Sequence, residues 1–290
     1  MKVNELTSTQ VSGIVDRAQR QRYLASKGIK PNTQFQLDLI FPVTIGDRDD
    51  LRHIPNDYAR SSLFTARNKK DARRTLMHEK LFHYNDHILI LYTGIELRAE
   101  DDEIVWLQIL NYGRSVPLGE PFEFSVKDVV KELNWGKNGR NYDRVRECIS
   151  RLKANEVMVK NTKAYGQTGA VSLIQNYTAV NDAEGKPTQY RVWIDPNLIV
   201  LFAGNNFSSH LWEIYRDLSP VARRLADHLQ SHTNPFPLSL EKFRQMCGST
   251  DSSITSWRQT VKKACLEVEA TGLAIAAKLN KTDQICCIRQ

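Results

Sequence analysis

The chain has 290 residues, 41% hydrophobic and 25% charged, enough for one large core or two modest ones. No run of about 18 apolar residues occurs, the N-terminus has no apolar stretch after a basic start, and no CxxC pair occurs. These features argue against a membrane span, a secretory signal, a zinc knuckle or a disulfide framework, and for reduced thiols in a cytoplasmic protein. A net charge of +7 favours polyanionic partners through long-range attraction and counterion release.

Residues 1–50 read as a flexible N-terminal arm. A basic stretch of helical composition (16–30) is followed by Pro31, a short apolar segment and the polar run Gly46-Asp47-Arg48-Asp49-Asp50. A first domain is expected over 51–205. Ile54-Pro55-Asn56-Asp57 opens a helix over 58–63. Residues 69–80 are a charged segment, and 87–94 (HILILYTG) form a buried strand. Residues 101–112 form a buried helix whose acidic start suits a helix N-terminus. Then come a strand (121–124), a helix capped by Ser125 (126–133), a turn (134–139) and a helix over 141–154. Strands follow over 156–163, 166–176 and 190–194. Strand, helix, turn, helix and hairpin make the layout of a winged helix-turn-helix.

The order recurs over 206–290. Ser219-Pro220 starts a helix that runs to Gln230, and 232–237 (HTNPFP) break the pattern. Ser239 caps a helix over 240–246, Gly248 ends it, and a long helix over 253–270 stops at Gly272. Residues 273–278 and 284–289 make a hairpin around Asn280-Lys281-Thr282-Asp283. The fold class is therefore α+β, with two tandem winged-helix domains behind the arm.

The second helix of each motif is the candidate DNA reader. On the first, Tyr142, Val145, Cys148, Ile149 and Leu152 share the core face. Arg144 and Arg151 lie on one flank, Arg146 and Lys153 on the other, with Ser150 between them, as a groove walled by phosphates requires. On the second, Ile254, Trp257, Val261, Ala264, Cys265 and Val268 form the apolar stripe. Thr255, Ser256, Gln259, Lys262 and Lys263 face away, with Arg258 at the border. Gln259 and Arg258 suit adenine and guanine edges, and the lysines suit phosphates. Lys163 and Lys281, with Lys160 and Lys278, are the candidate phosphate contacts of the wings. Each helix alone reads as an ordinary solvated amphipathic helix; their repetition in the same setting favours DNA.

From about Ile54 onward the chain resembles the TrfA family of iteron-binding plasmid replication initiators. The resemblance is carried by Ile54-Pro55-Asn56 with Ser62-Leu63-Phe64, Tyr92-Thr93-Gly94, Pro117-Leu118-Gly119, and Asp195-Pro196 with Leu201-Phe202. The most specific part is Pro235-Phe236-Pro237-Leu238 with Cys247-Gly248-Ser249. It implies binding to direct repeats in double-stranded origin DNA, opening of an adjacent AT-rich segment, recruitment of the host replicative helicase and sliding clamp, and a monomer–dimer equilibrium. Within the arm, 36–41 (QLDLIF) resembles a clamp-binding peptide, with Gln36, Leu37, Leu39 and Phe41 as its contacts and Ile40 interrupting the pattern. The alternation of Phe35, Leu37, Leu39 and Phe41 equally suits a half-buried strand.

No enzymatic chemistry is read. A nicking initiator would need a His-x-His pair, a zinc protease HExxH and an ATPase a P-loop, and none of these occurs. His83 with His87, and His228 with His232, are spaced for one helix face but read as surface histidines. Asp101-Asp102-Glu103 reads as a helix N-terminus in preference to a metal cluster, so no cofactor or metal is expected. The rival reading is a winged-helix transcriptional regulator.

Overall fold

The computed structural model describes residues 49–289, except 115, 117–118, 162–167, 196–197, 199–205 and 252. Residues 1–48 of the arm, with its 36–41 segment, and Lys163 lie outside the described residues. In chain order the elements are β1 (Leu51–Pro55), α1 (Asn56–Ala59), β2 (Phe64–Thr65), β3 (Thr75–Leu81), β4 (Ile88–Ile95), β5 (Leu97–Arg98), α2 (Asp102–Tyr112) and β6 (Phe122–Ser125). Next come α3 (Val126–Glu132), α4 (Gly139–Lys153), β7 (Asn155–Asn161), β8 (Thr168–Val171), β9 (Asn176–Asn181), β10 (Pro187–Trp193) and β11 (Phe207–Leu211). The remainder are α5 (Trp212–Asp217), α6 (Pro220–Gln230), β12 (Leu238–Ser239), α7 (Leu240–Met246), α8 (Ile254–Ala270), β13 (Ala274–Leu279) and β14 (Gln284–Arg289).

Two three-stranded sheets share one topology. In the first half the order is β6-β10-β9, and in the second it is β12-β14-β13. In both, the strand before the helix pair lies beside the last strand, and the middle strand is outermost. The likeness extends to single residues. Ser125 ends β6 opposite Gln189 and caps α3, its hydroxyl accepting from Asp128 N. Ser239 ends β12 opposite Gln284 and caps α7, accepting from Lys242 N. A short hydroxyl side chain at a strand-to-helix junction can satisfy an orphan N–H of the first turn.

Three sequence expectations need correction. The helix expected over 58–63 ends at Ala59, because Ser61 turns to bridge His83 and Phe64 enters a strand beside Leu97. Within the charged segment, Thr75–Leu81 is the edge strand of a four-stranded sheet, β3-β4-β7-β8. Of its side chains only Leu76 and Leu81 are buried, so the strand carries almost no apolar signal. The hairpin of β7 and β8 was expected to be the first wing. It extends that sheet instead, with Val157 opposite Val171 on one side and Tyr92 on the other. The hairpin that pairs with the strand before the helix pair is β9–β10, closed by a turn in which Asp182 Oδ1 accepts from Glu184 N and Lys186 N and Gly185 takes a φ of 79°.

The halves are joined by β1 pairing with β11 and by one continuous hydrophobic core. A further joint lies at the turn between α7 and α8. Ala66 N donates to Cys247 O at 2.7 Å, and Gly248, at φ 59°, lies against Thr65. A Cβ there would stand 2.7 Å from Thr65 Cγ2. Gly248→Ala should therefore cost roughly 1–2 kcal/mol for the left-handed backbone, plus the clash. Adding Thr65→Ser, which keeps the hydroxyl and deletes Cγ2, should return only the steric part. Equal urea midpoints for the single and double variants would show that no clash exists.

Candidate nucleic-acid interface

In α4, Asn138 caps the helix by accepting from Asn141 N, and Val145, Cys148, Ile149 and Leu152 are buried as expected. The two flanks do not form an open phosphate clamp. Arg151 is only 11% exposed: its Nε donates to Asp102 Oδ1 at 2.9 Å, and Asp101 lies 3.7 Å away. Arg144 stacks over Trp135 and reaches Glu100 and Asp101 at 3.4 and 3.5 Å. Arg73 completes the cluster with bonds to both Asp101 and Asp102. Arg144 and Arg151, expected as an open basic flank, are thus engaged by acids of the first half. The helical wheel gave their direction, but the acidic start of α2 that meets them there is a tertiary fact.

The same contacts explain the Asp101-Asp102-Glu103 run. Asp101 caps α2 by accepting from Asp102 N. Burial would raise its carboxyl, yet Arg73, Arg144 and Arg151 together hold it below the ordinary carboxylate range. Asp102 is fully buried; burial and the Asp101 charge push it up to about 6. Asp101, Asp102 and Cys148 stand close enough for a metal, but arginines occupy the carboxylates.

On the other flank of α4, Arg146 donates from Nε to Pro187 O at 2.8 Å and pairs with Asp143, tying the helix to β10. Lys153 is half-buried and Ser150 exposed. The outward surface here is mixed in sign. Asp143 and Glu147 are exposed on α4, and a groove between the helix start and the hairpin tip is lined by Tyr142, Arg146, Asp182, Glu184 and Lys186. Carboxylates facing a phosphate wall repel it. Exposed Lys137 and Arg140, at the turn before α4 and its first residues, are cations that the helical-face argument missed.

The second half presents a different face. Ser253 caps α8, and Trp257, Val261, Ala264, Cys265 and Val268 are buried, with the Trp257 indole N–H donating to Leu240 O. Ile254, expected in the core stripe, is 40% exposed. Thr255, Ser256, Gln259, Lys262 and Lys263 all lie exposed, as does Lys281 at the tip of the β13–β14 hairpin. The acids of α8 fall in its last turns and are engaged: Glu267 accepts from Ser219 N and Oγ, and Glu269 from Ala277 N. A face with polar readers at the helix start, cations beyond them and acids withdrawn suits a major groove.

Arg258 departs from its expected place among the base readers. It holds Asp283 bidentately, Nε at 2.8 Å and Nη2 at 2.5 Å, pinning the hairpin turn to the helix. Asp283 sits at φ 55°, and its carbonyl accepts from Leu240 N. No helix among the described residues is long and apolar enough to cross a membrane.

The family model described as TrfA protein matches residues 10–289. The plasmid replication initiator protein TrfA of Escherichia coli is 43% identical over 241 residues, which cover 83% of this chain and 62% of that protein. The chain thus spans about three-fifths of that relative's length. Among solved structures, two crystal structures of domains 2 and 3 of RctB share the fold at 10% identity. One has a TM-score of 0.56 over 82% of this chain and 99% of that one. The other has a TM-score of 0.55 over 81% and 97%.

Proposed function

The chain belongs to the TrfA family, and from that premise we propose that it is a plasmid replication initiator that binds direct repeats in double-stranded origin DNA. The observation that carries the reading is the open face of α8, with Thr255, Gln259, Lys262 and Lys263 exposed and no acid among them. In this reading each helix pair and its three-stranded sheet is a winged helix, and α8 is the principal reader. Gln259 pairs with a base edge, most naturally adenine, while Lys262, Lys263, Lys278 and Lys281 hold phosphates. The first unit contributes through Lys137 and Arg140 at the start of α4, with Ser150 and Lys153 further along. Binding energy and DNA deformation open the adjacent AT-rich segment without nucleotide hydrolysis. The host helicase and sliding clamp are the partners, the clamp through Gln36, Leu37, Leu39 and Phe41, and the protein works in the cytoplasm as a non-enzymatic binder in monomer–dimer equilibrium.

Fluorescence anisotropy with a repeat duplex and a shuffled duplex tests this. The lysines of α8 and its hairpin should give a log Kd against log salt slope of about +4 or steeper, at ~0.9 per phosphate neutralised. Gln259→Ala should narrow the preference for the repeat by about 1–3 kcal/mol, whereas Lys262→Ala with Lys263→Ala should weaken both duplexes alike. A flat salt dependence, or equal affinity of the wild-type chain for the two duplexes, would overturn the proposal.

A further inference from the structure

The loop between β2 and β3 belongs to the first half in sequence, yet it is docked on the helix-turn-helix turn of the second. Ala66 N bonds Cys247 O, Thr65 lies against Gly248, and Thr250 Oγ1 reaches Asp71 Oδ2 at 3.5 Å. Thr250 stands four residues before the first residue of α8. The loop is built to hold one shape. Arg98, only 4% exposed, donates to the carbonyls of Asn68 and Asp71. Glu96, buried at 1%, takes Arg67 and the Arg74 backbone N–H. Asp71 N closes the turn on Asn68 O, while Asn68 Oδ1 accepts from Lys70 N.

The two central residues of this turn are Lys69 and Lys70. Both are exposed, and neither ammonium has an ion-pair partner among the described residues. Everything around them is neutralised or bonded, so two adjacent positive charges are held on a rigid turn beside the start of α8. A duplex with its major groove on α8 would have a phosphate strand passing the helix start and the turn before it, where helix-turn-helix proteins commonly hold the backbone.

We propose that the turn spanning residues 68–71 is a phosphate clamp that works with the second reading helix, Lys69 and Lys70 gripping the DNA backbone beside the start of α8. This rests on the reading of α8 as a DNA-binding helix. The clamp adds affinity without sequence information. It also makes DNA a ligand of both halves at once, because the turn is anchored by Arg98 and Glu96 of the first half.

The test is binding of the full chain to the repeat and shuffled duplexes over a salt series. Lys69→Ala with Lys70→Ala should flatten the log–log slope by about 2 and weaken both duplexes roughly 10- to 30-fold at physiological salt, leaving their ratio unchanged. Lys80→Ala with Lys131→Ala removes the same charge from exposed positions of β3 and α3 that the proposed interface does not use, and should leave the slope within about 0.5 of wild type. If the two double variants weaken binding equally, the effect is net charge and the clamp is wrong. An unchanged Lys69/Lys70 variant, where Lys262→Ala with Lys263→Ala does weaken binding, removes the clamp and leaves the reading of α8 standing. A wild-type chain that does not bind duplex DNA overturns that reading and the clamp with it.

Discussion

Arg224→Met should destabilise the protein by about 3–5 kcal/mol, the range for breaking a buried ion network by removing one partner. Arg224 is 0% exposed, in a helix whose residues 221–229 are all buried. Its guanidinium meets Glu103 at 3.1 Å and Asp227 at 2.7 Å, and it donates to the carbonyls of Ala59 and Ser61 at 2.6 and 2.8 Å. Methionine fills a similar volume but leaves two carboxyl groups and two carbonyls without that donor in a buried site. One positive charge already serves two acids, and burial with the Asp227 charge pushes Glu103 up to about 8. Adding Glu103→Leu to Arg224→Met removes an orphaned buried carboxyl group and should restore part of the loss. Chemical denaturation of the single and double variants measures this. A single variant within ~1 kcal/mol of wild type would mean that the network carries little of the fold.

Arg224 also shows where sequence stops being informative. Ser219-Pro220 marks the start of α6 in any reading, because capping and proline chemistry are local. Nothing local announces that Arg223 and Arg224 are buried, since a paired arginine inside a helix ordinarily faces water. Beside local partners such as Asp227, they bond Ala99, Glu103, Ala59 and Ser61, which lie more than a hundred residues away in the chain. The same division runs through the interface. The caps at Ser125, Ser239 and Ser253, the buried stripe of α8 and the exposure of Gln259, Lys262 and Lys263 follow from helical period and turn chemistry. Which hairpin of the first half flanks its helix pair does not. The β7–β8 hairpin has the stronger apolar signal, and it was drawn into the sheet with β4, while the polar β9–β10 hairpin took the place beside β6. Lys69 and Lys70 were visible as charge, but Thr250, which meets Asp71 of the same turn, is 179 positions on. The arginines of α4 failed in the opposite sense: a wheel puts Arg144 and Arg151 on a flank without saying that three acids stand there.

His228→Phe should make the protein progressively more stable than wild type as the pH falls below 6.5. The His228 ring is 2% exposed, packed against His232 with centroids 4.6 Å apart and edge-on to Phe236 at 5.5 Å. Its ring nitrogens have no hydrogen bond of good geometry, though the Phe236 backbone faces it. Burial, with His232 and Arg60 nearby, lowers the imidazole to about 3 from an unfolded value near 6.5. The sign follows from proton counting. Between those values the unfolded chain holds a proton on this ring and the folded chain does not, so stability is lost as the pH falls. Each unit should cost about 1.4 kcal/mol for such a group, and phenylalanine removes the whole contribution. His53 and His83, both lowered to about 4 by burial, remain in the variant, so it should still lose stability in acid, only less steeply. Glu103 titrates with the opposite sign. Its folded value is raised, so its contribution is full below the unfolded carboxylate range and fades as the pH rises towards 8. Because it is common to both proteins, it cancels in their difference. Phenylalanine also suits the aromatic surroundings and leaves no buried nitrogen unpaired, so near pH 7 the variant should match or slightly exceed wild type. Urea unfolding of the two proteins from pH 7.5 to 4.5 gives the difference directly. It should be near its baseline above pH 7 and grow by roughly 2–3 kcal/mol at pH 4.5. A difference that stays constant over that range would mean that His228 is protonated inside the folded protein, and the dry, neutral packing of α6 against Phe236 would be wrong.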